Sequence, residues 1–146
     1  MPGGQPDGRT TGPGGAPGGA APRSPFTYAV VRVVPDVVRG ECMNAGVVLF
    51  CKAHRFLAAR VALDEARLAA LAPAADPAAI RPHLDAIARI AAGDPAAGPM
   101  ARLPLGERFG WLAAPASTVV QPGPIHTGLT GDPQRTLDEL FAELVA

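Results

Sequence analysis

The pattern of apolar and polar positions divides the chain into a strand-like first half and a more helical second half. Phe26-Thr-Tyr-Ala-Val-Val-Arg-Val-Val-Pro35 is rich in β-branched and aromatic residues, and both of its alternating faces are apolar. This composition predicts a central strand covered on both sides. Pro35 and Asp36 open a loop to about Glu41 in which Gly40 is suited to a positive φ. Met43 to Cys51 predicts a second strand, and so short a connection makes an antiparallel hairpin the simplest topology. Phe56 to Leu63 alternates as a third strand.

Periodicity then shifts. Asp64 is placed to cap a helix through Leu71 that Pro73 ends. Asp76-Pro77 provides a cap followed by proline at the first helical position. Ile80, Leu84, Ile87 and Ile90 then fall on one helix face, and Gly93 closes it. Residues 94–106 are turn-rich, while Arg108–Leu112 and Ser117–Gln121 read as two short strands. Asp132-Pro133 begins a last helix with Leu137, Leu140, Phe141 and Leu144 along one face. The expected fold class is α+β: a mainly antiparallel sheet of about four to five strands, helices packed on one face, in the rough order βββααββα. The second sheet face then needs another cover, and a second copy of the chain, a homo-oligomer, is one candidate.

Ahead of this pattern, residues 1–25 hold eight glycines and six prolines with no large apolar residue after Met1. Such a segment has too little apolar surface to offset the entropy of ordering, so a disordered tail precedes a single domain over 26–146. The 13 basic and 13 acidic side chains cancel, which disfavours a dedicated nucleic-acid binder. No stretch has the length and apolarity of a membrane span, no signal peptide is visible, and two cysteines make no disulfide framework. The cytoplasm is therefore the expected location, with no membrane partner.

Candidate chemistry gathers in two segments. The first hairpin holds Arg32, Asp36, Arg39, Glu41 and Asn44. Arg32 interrupts an apolar strand, where a guanidinium needs a partner; Glu41 and Asp36 are the nearby carboxylates. Arg32 and Arg39 can bind an anion or protein partner bidentately, or the cluster can simply fix the loop. The second segment holds Arg108, Trp111, Ser117, Thr118, Gln121 and His126. His126 is a possible general base with Ser117 or Thr118 as hydroxyl partner, against a purely structural role for the histidine. Trp111 reads as core. Cys51-x-x-His54 has ligand-like spacing, but a structural zinc site takes four ligands, so no metal and no other cofactor is expected. No catalytic residue stands out.

These two segments, Tyr28-x-Val-Val-Arg-x-Val-Pro-Asp-x-x-Arg-Gly-Glu-x-x-Asn-x-Gly-Val-Val-Leu49 and then Arg108-Phe-x-Trp-Leu with Ser117-Thr-Val-Val-Gln-Pro-x-Pro-x-His126, resemble a bacterial family known as domain of unknown function 3037. The resemblance spans Phe26 to about Val145. It implies no activity, but its members are often encoded beside a HipA-like kinase protein, which implies a partner or regulator. A non-enzymatic interaction protein is therefore the first expectation. A small-ligand binder or enzyme, with a site between the hairpin loop and the Ser117–His126 segment, is the second.

Overall fold

A computed structural model describes residues 22–146. The tail expected over 1–25 lies outside the described residues as far as residue 21. Ser24 and Pro25 already belong to the first strand, so the ordered pattern starts slightly earlier than the apolar run.

Four strands form one antiparallel sheet: β1 (Ser24–Val33), β2 (Met43–Cys51), β3 (Phe56–Val61) and β4 (Val120–Thr130), in spatial order β3-β2-β1-β4. The β1–β2 hairpin sets Arg32 opposite Asn44, after a register shift between Val31 and Arg32. A glycine lets β2 and β3 approach closely, because a Cβ at Gly46 would stand 2.8 Å from Val61 Cγ1. Four helices follow the sequence signals closely: α1 (Glu65–Leu71), α2 (Pro77–Ala92), α3 (Leu105–Leu112) and α4 (Pro133–Leu144). Asp64, Asp76 and Asp132 each accept a backbone N–H from the first turn of their helix, and Gly93 ends α2 at φ 76°. Each such cap contributes on the order of 1 kcal/mol.

The α+β class with its antiparallel sheet is as expected, and the order is βββαααβα. The segment Arg108–Leu112 lies in helix α3 instead of a strand. Its apolar residues suit either state over so few positions, and packing decides: Phe109 stacks on Phe50 at 5.6 Å between ring centroids. The strand expected at Ser117–Gln121 begins only at Val120 and continues to Thr130, through Pro122 and Pro124. Those prolines are tolerated because β4 is an edge strand with one side unpaired among the described residues.

Helices cover both faces of the sheet, not one. Ala29, Val31, Val33, Met43, Ala45, Val48 and Leu57 meet Leu68, Ile80, Leu84 and Phe109 from α1–α3. The opposite face sets Phe26, Val47, Leu49 and Cys51 against Leu137, Phe141 and Val145 at and after α4. Leu49 and Leu84 are sealed from solvent, and each such leucine contributes about 2–3 kcal/mol.

Candidate functional site

The connection between β1 and β2 is short, yet it is ordered by its own side chains. Asp36 Oδ1 accepts from the N–H groups of Val38 (3.0 Å) and Arg39 (3.4 Å), and Gly40 N–H donates to Asp36 O at 3.0 Å. This turn requires φ 75° at Gly40, a conformation that glycine adopts without strain. Beyond it, Arg39 Nε donates to Glu41 Oε1 at 2.9 Å. The hydrogen bond and the opposite charge hold the Glu41 carboxyl below its ordinary value and raise Arg39 above its own. Both side chains are about half exposed or more, so the pair orients the loop and adds little stability.

The same turn pushes two valines outward. Val37 is 46% exposed and Val38 is 96% exposed. On one flank of the loop, Pro35, Asp36, Val37, Arg39 and Glu41 face Leu71–Ala75 across a groove of about 600 Å³. On the other, a groove of about 570 Å³ runs between Val37, His83 and Ile87 and the segment Ser117–Val120. The backbone ties that segment to β1, since Val34 N–H donates to Val119 O at 2.6 Å.

Of the residues singled out from the sequence, five therefore gather around the loop: Asp36, Arg39, Glu41, Ser117 and Thr118. The Thr118 hydroxyl is already committed, donating to Val120 O at 2.7 Å. Arg32, Asn44 and His126 stand apart on the α4 side of the sheet. Arg32 makes no pair with Glu41 or Asp36; its guanidinium lies against Gly123, where a Cβ would come within 2.9 Å of Cζ. Asn44 Nδ2 donates to Leu144 O at 3.0 Å and so fastens the end of α4. His126 lies opposite Tyr28, its ring 5.1 Å from the tyrosine ring. Val120 lies opposite Val33, so His126 is about 17 Å along β1 from the Ser117–Thr118 end. A His126–Ser117 or His126–Thr118 base–hydroxyl pair does not form.

Arg108, in the second sequence segment, is buried. Its Nη1 donates to Ala101 O (3.1 Å) and Leu103 O (3.0 Å), and Nη2 to Ala91 O (3.3 Å) in the last turn of α2. It is a clamp between α3 and the end of α2, where a positive charge also suits the helix dipole. Trp111, expected in the core, is 57% exposed. Cys51 Sγ is 3.3 Å from His54 Nδ1, but among the described residues no three His, Cys, Asp or Glu side chains group as metal ligands. Two exposed arginines are paired with carboxylates, Arg39 with Glu41 and Arg60 with Asp138 at 3.2 Å.

Sequence reasoning passed over Val37 and Val38. The signal was present as two adjacent β-branched apolar residues inside a turn that cannot bury them.

Residues 28–145 match the profile of the DUF3037 family, described as proteins of unknown function. The chain belongs to this family. Comparison with curated proteins finds no match, and comparison with solved structures finds none. In this DUF3037 chain the matched span runs from β1 to the end of α4, so the loop, both grooves, Arg108 and the β4 edge all lie inside it.

Proposed function

We propose that this DUF3037 protein is a non-enzymatic interaction or regulatory partner of a HipA-like kinase protein, which it contacts through the β1–β2 loop. The observation that carries this reading is Val38. An almost fully exposed β-branched side chain stands beside Val37 at the tip of a turn that Asp36 and Gly40 hold in one shape. Exposed apolar groups on a preorganised loop cost little entropy to dock, and burying them is the gain a partner offers. The Arg39–Glu41 pair on the rim supplies orientation more than affinity. The kinase-like partner comes from the family resemblance, an association that the loop chemistry neither requires nor opposes.

The test is affinity purification of the tagged full chain from its native host. A HipA-like kinase protein recovered at near-equal stoichiometry, and lost with Val38→Asp, supports the reading. Recovery of the chain without any kinase-like protein overturns it.

A second reading is a small-ligand site in the groove between Val37 and Ser117–Val120, favoured by the mixed lining of valines, isoleucine, hydroxyls and His83. It has lost His126 as a member. Chemical-shift changes confined to these residues in a small-molecule screen would move weight to it.

A further inference from the structure

β1 carries a single charged residue, Arg32, and its pairing is irregular towards both neighbouring strands close to that position. The register shifts between Val31 and Arg32 against β2, and between Ala29 and Val31 against β4. Irregularities of this kind re-aim a side chain and are common beside binding sites. The half-buried Arg32 guanidinium lies against Gly123, where a Cβ would stand 2.9 Å from Cζ and 3.1 Å from Nε, so glycine makes room for it. Yet Arg32 has no ion pair and donates no side-chain hydrogen bond among the described residues. An arginine that serves the fold is paired, as Arg108 is with three carbonyls. Asn44, opposite Arg32 on β2, is committed to Leu144 O.

On its side of the sheet α4 packs mainly over β2 and β3, so the β1–β4 half of that face lies beside the helix. Tyr28, half-buried, and His126, exposed, stand opposite one another there, with rings 5.1 Å apart and tilted by 30°. Gly123 is three residues from His126, so about 10 Å of strand separates the guanidinium from the two rings. We infer that this half-face binds a mononucleotide, a small ligand that joins a flat aromatic ring to a phosphate. Arg32 takes two phosphate oxygens in its planar fork, and the base lies against Tyr28 and His126. Charge selects an anion, because the four strands contain no aspartate or glutamate. Charge also selects one nucleotide over a nucleic-acid strand. Arg32 is the only lysine or arginine on β1 and β4, whereas a polynucleotide needs several cations along its backbone. No residue of the β1–β2 loop takes part, so the site is independent of the loop reading.

NMR titration of the full chain with AMP, ADP, adenosine and inorganic phosphate, each into the millimolar range, tests this. AMP or ADP is expected to move the Arg32 Nε–H and His126 ring signals together, and to bind at least about fivefold more tightly than adenosine or phosphate. Arg32→Gln should weaken the nucleotide by at least about tenfold. Gly123→Ala keeps the arginine but displaces its guanidinium, and should weaken binding in the same direction. His126→Ala should weaken the nucleotide and leave phosphate binding unchanged. Thermal melts check that each variant is folded, and Arg39→Ala, on the loop, should bind as the wild type does. The inference is overturned if neither nucleotide shifts these signals, or if binding survives Arg32→Gln in a folded protein. Adenosine or phosphate binding as tightly as the nucleotide also overturns it, and so does an oligonucleotide that saturates the same signals at far lower concentration.

Discussion

Arg108 and Val38 break the ordinary rule of burial in opposite directions, and the contrast separates the scaffold from the proposed contact surface. Arg108 is a charge inside the protein, 9% exposed, whereas Val38 is an apolar side chain outside it at 96%. The buried charge is explained from within, by three carbonyls that close the end of α2 and the following turns. Nothing among the described residues covers the exposed valine, although Asp36, Gly40 and the Arg39–Glu41 pair fix the turn that carries it. A buried polar group or an exposed apolar one is the informative departure in a folded chain. Here the first belongs to the scaffold, and the second is the departure on which the proposed contact surface rests.

The largest effect is expected on the scaffold side of this comparison. Arg108→Met keeps the apolar stem but leaves Ala91 O, Ala101 O and Leu103 O without their donor, the first two of these contacts being buried and the third partly buried. The expected loss is about 3 kcal/mol in urea unfolding. Arg108→Lys should recover little of it, because one ammonium cannot reproduce the spread of a guanidinium. An Arg108→Met protein as stable as the wild type would mean that water already serves these carbonyls. Arg108 would then cease to be the structural counterpart of Val38.

A smaller effect is expected on the other side of the sheet. Asn44 carries its hydrogen bond to Leu144 O, and Arg67 Nη1 reaches Val145 O at 3.3 Å, so the end of α4 has two fasteners. Asn44→Ala should cost about 1 kcal/mol in the same measurement. It should leave partner capture unchanged, since Asn44 is remote from the loop tip. Loss of capture with unchanged stability would move Asn44 from the scaffold to the contact surface.

The elements were legible where local chemistry and long-range packing agree. Asp64, Asp76 and Asp132 announce their helices, and the run from Met43 to Cys51 is β2 to the residue. They were not legible where a short apolar run suits two states. Phe109 becomes helical because it stacks on Phe50, a residue far away in the chain. β4 is extended through two prolines because the sheet has an edge there, which no local pattern announces. The candidate site was half legible for a related reason. Asp36, Arg39 and Glu41 are neighbours in sequence and stay together, and Ser117 and Thr118 join their loop across a groove. Arg32 and His126 were grouped with them by nearness in sequence, but alternation along the strands turns both to the α4 side.

The Arg39–Glu41 pair permits a test that barely touches stability. Its effect on Glu41 is a lowered pKa, caused first by the hydrogen bond from Arg39 and then by its charge. The ionised carboxylate is thus favoured in the folded loop. The contribution is present above the ordinary glutamate range and is lost as pH falls through the lowered folded value. The raised Arg39 contribution would be lost only at strongly basic pH. Carbon-detected NMR titration of the Glu41 carboxyl should show its midpoint rising towards the ordinary range in Arg39→Ala. An unchanged midpoint would mean that the pair does not persist in solution and that the loop is held by Asp36 and Gly40 alone.

The smallest expected effect on stability belongs to Val38 itself, and it bears most directly on the comparison. Because Val38 buries almost nothing, Val38→Asp should shift the unfolding free energy by no more than about 0.5 kcal/mol. The same substitution places a charge where a partner would have to desolvate it, so capture of the kinase-like protein should fall sharply while the urea midpoint holds. Separation of the two readouts is what distinguishes a docking residue from a structural one. If Val38→Asp instead lowers the midpoint by as much as Asn44→Ala, the valine is packed in solution, against Val37 of its own loop or another part of the chain. Its exposure would then no longer mark a contact surface, and the groove beside Ser117 and Thr118 would become the better place to look for a ligand.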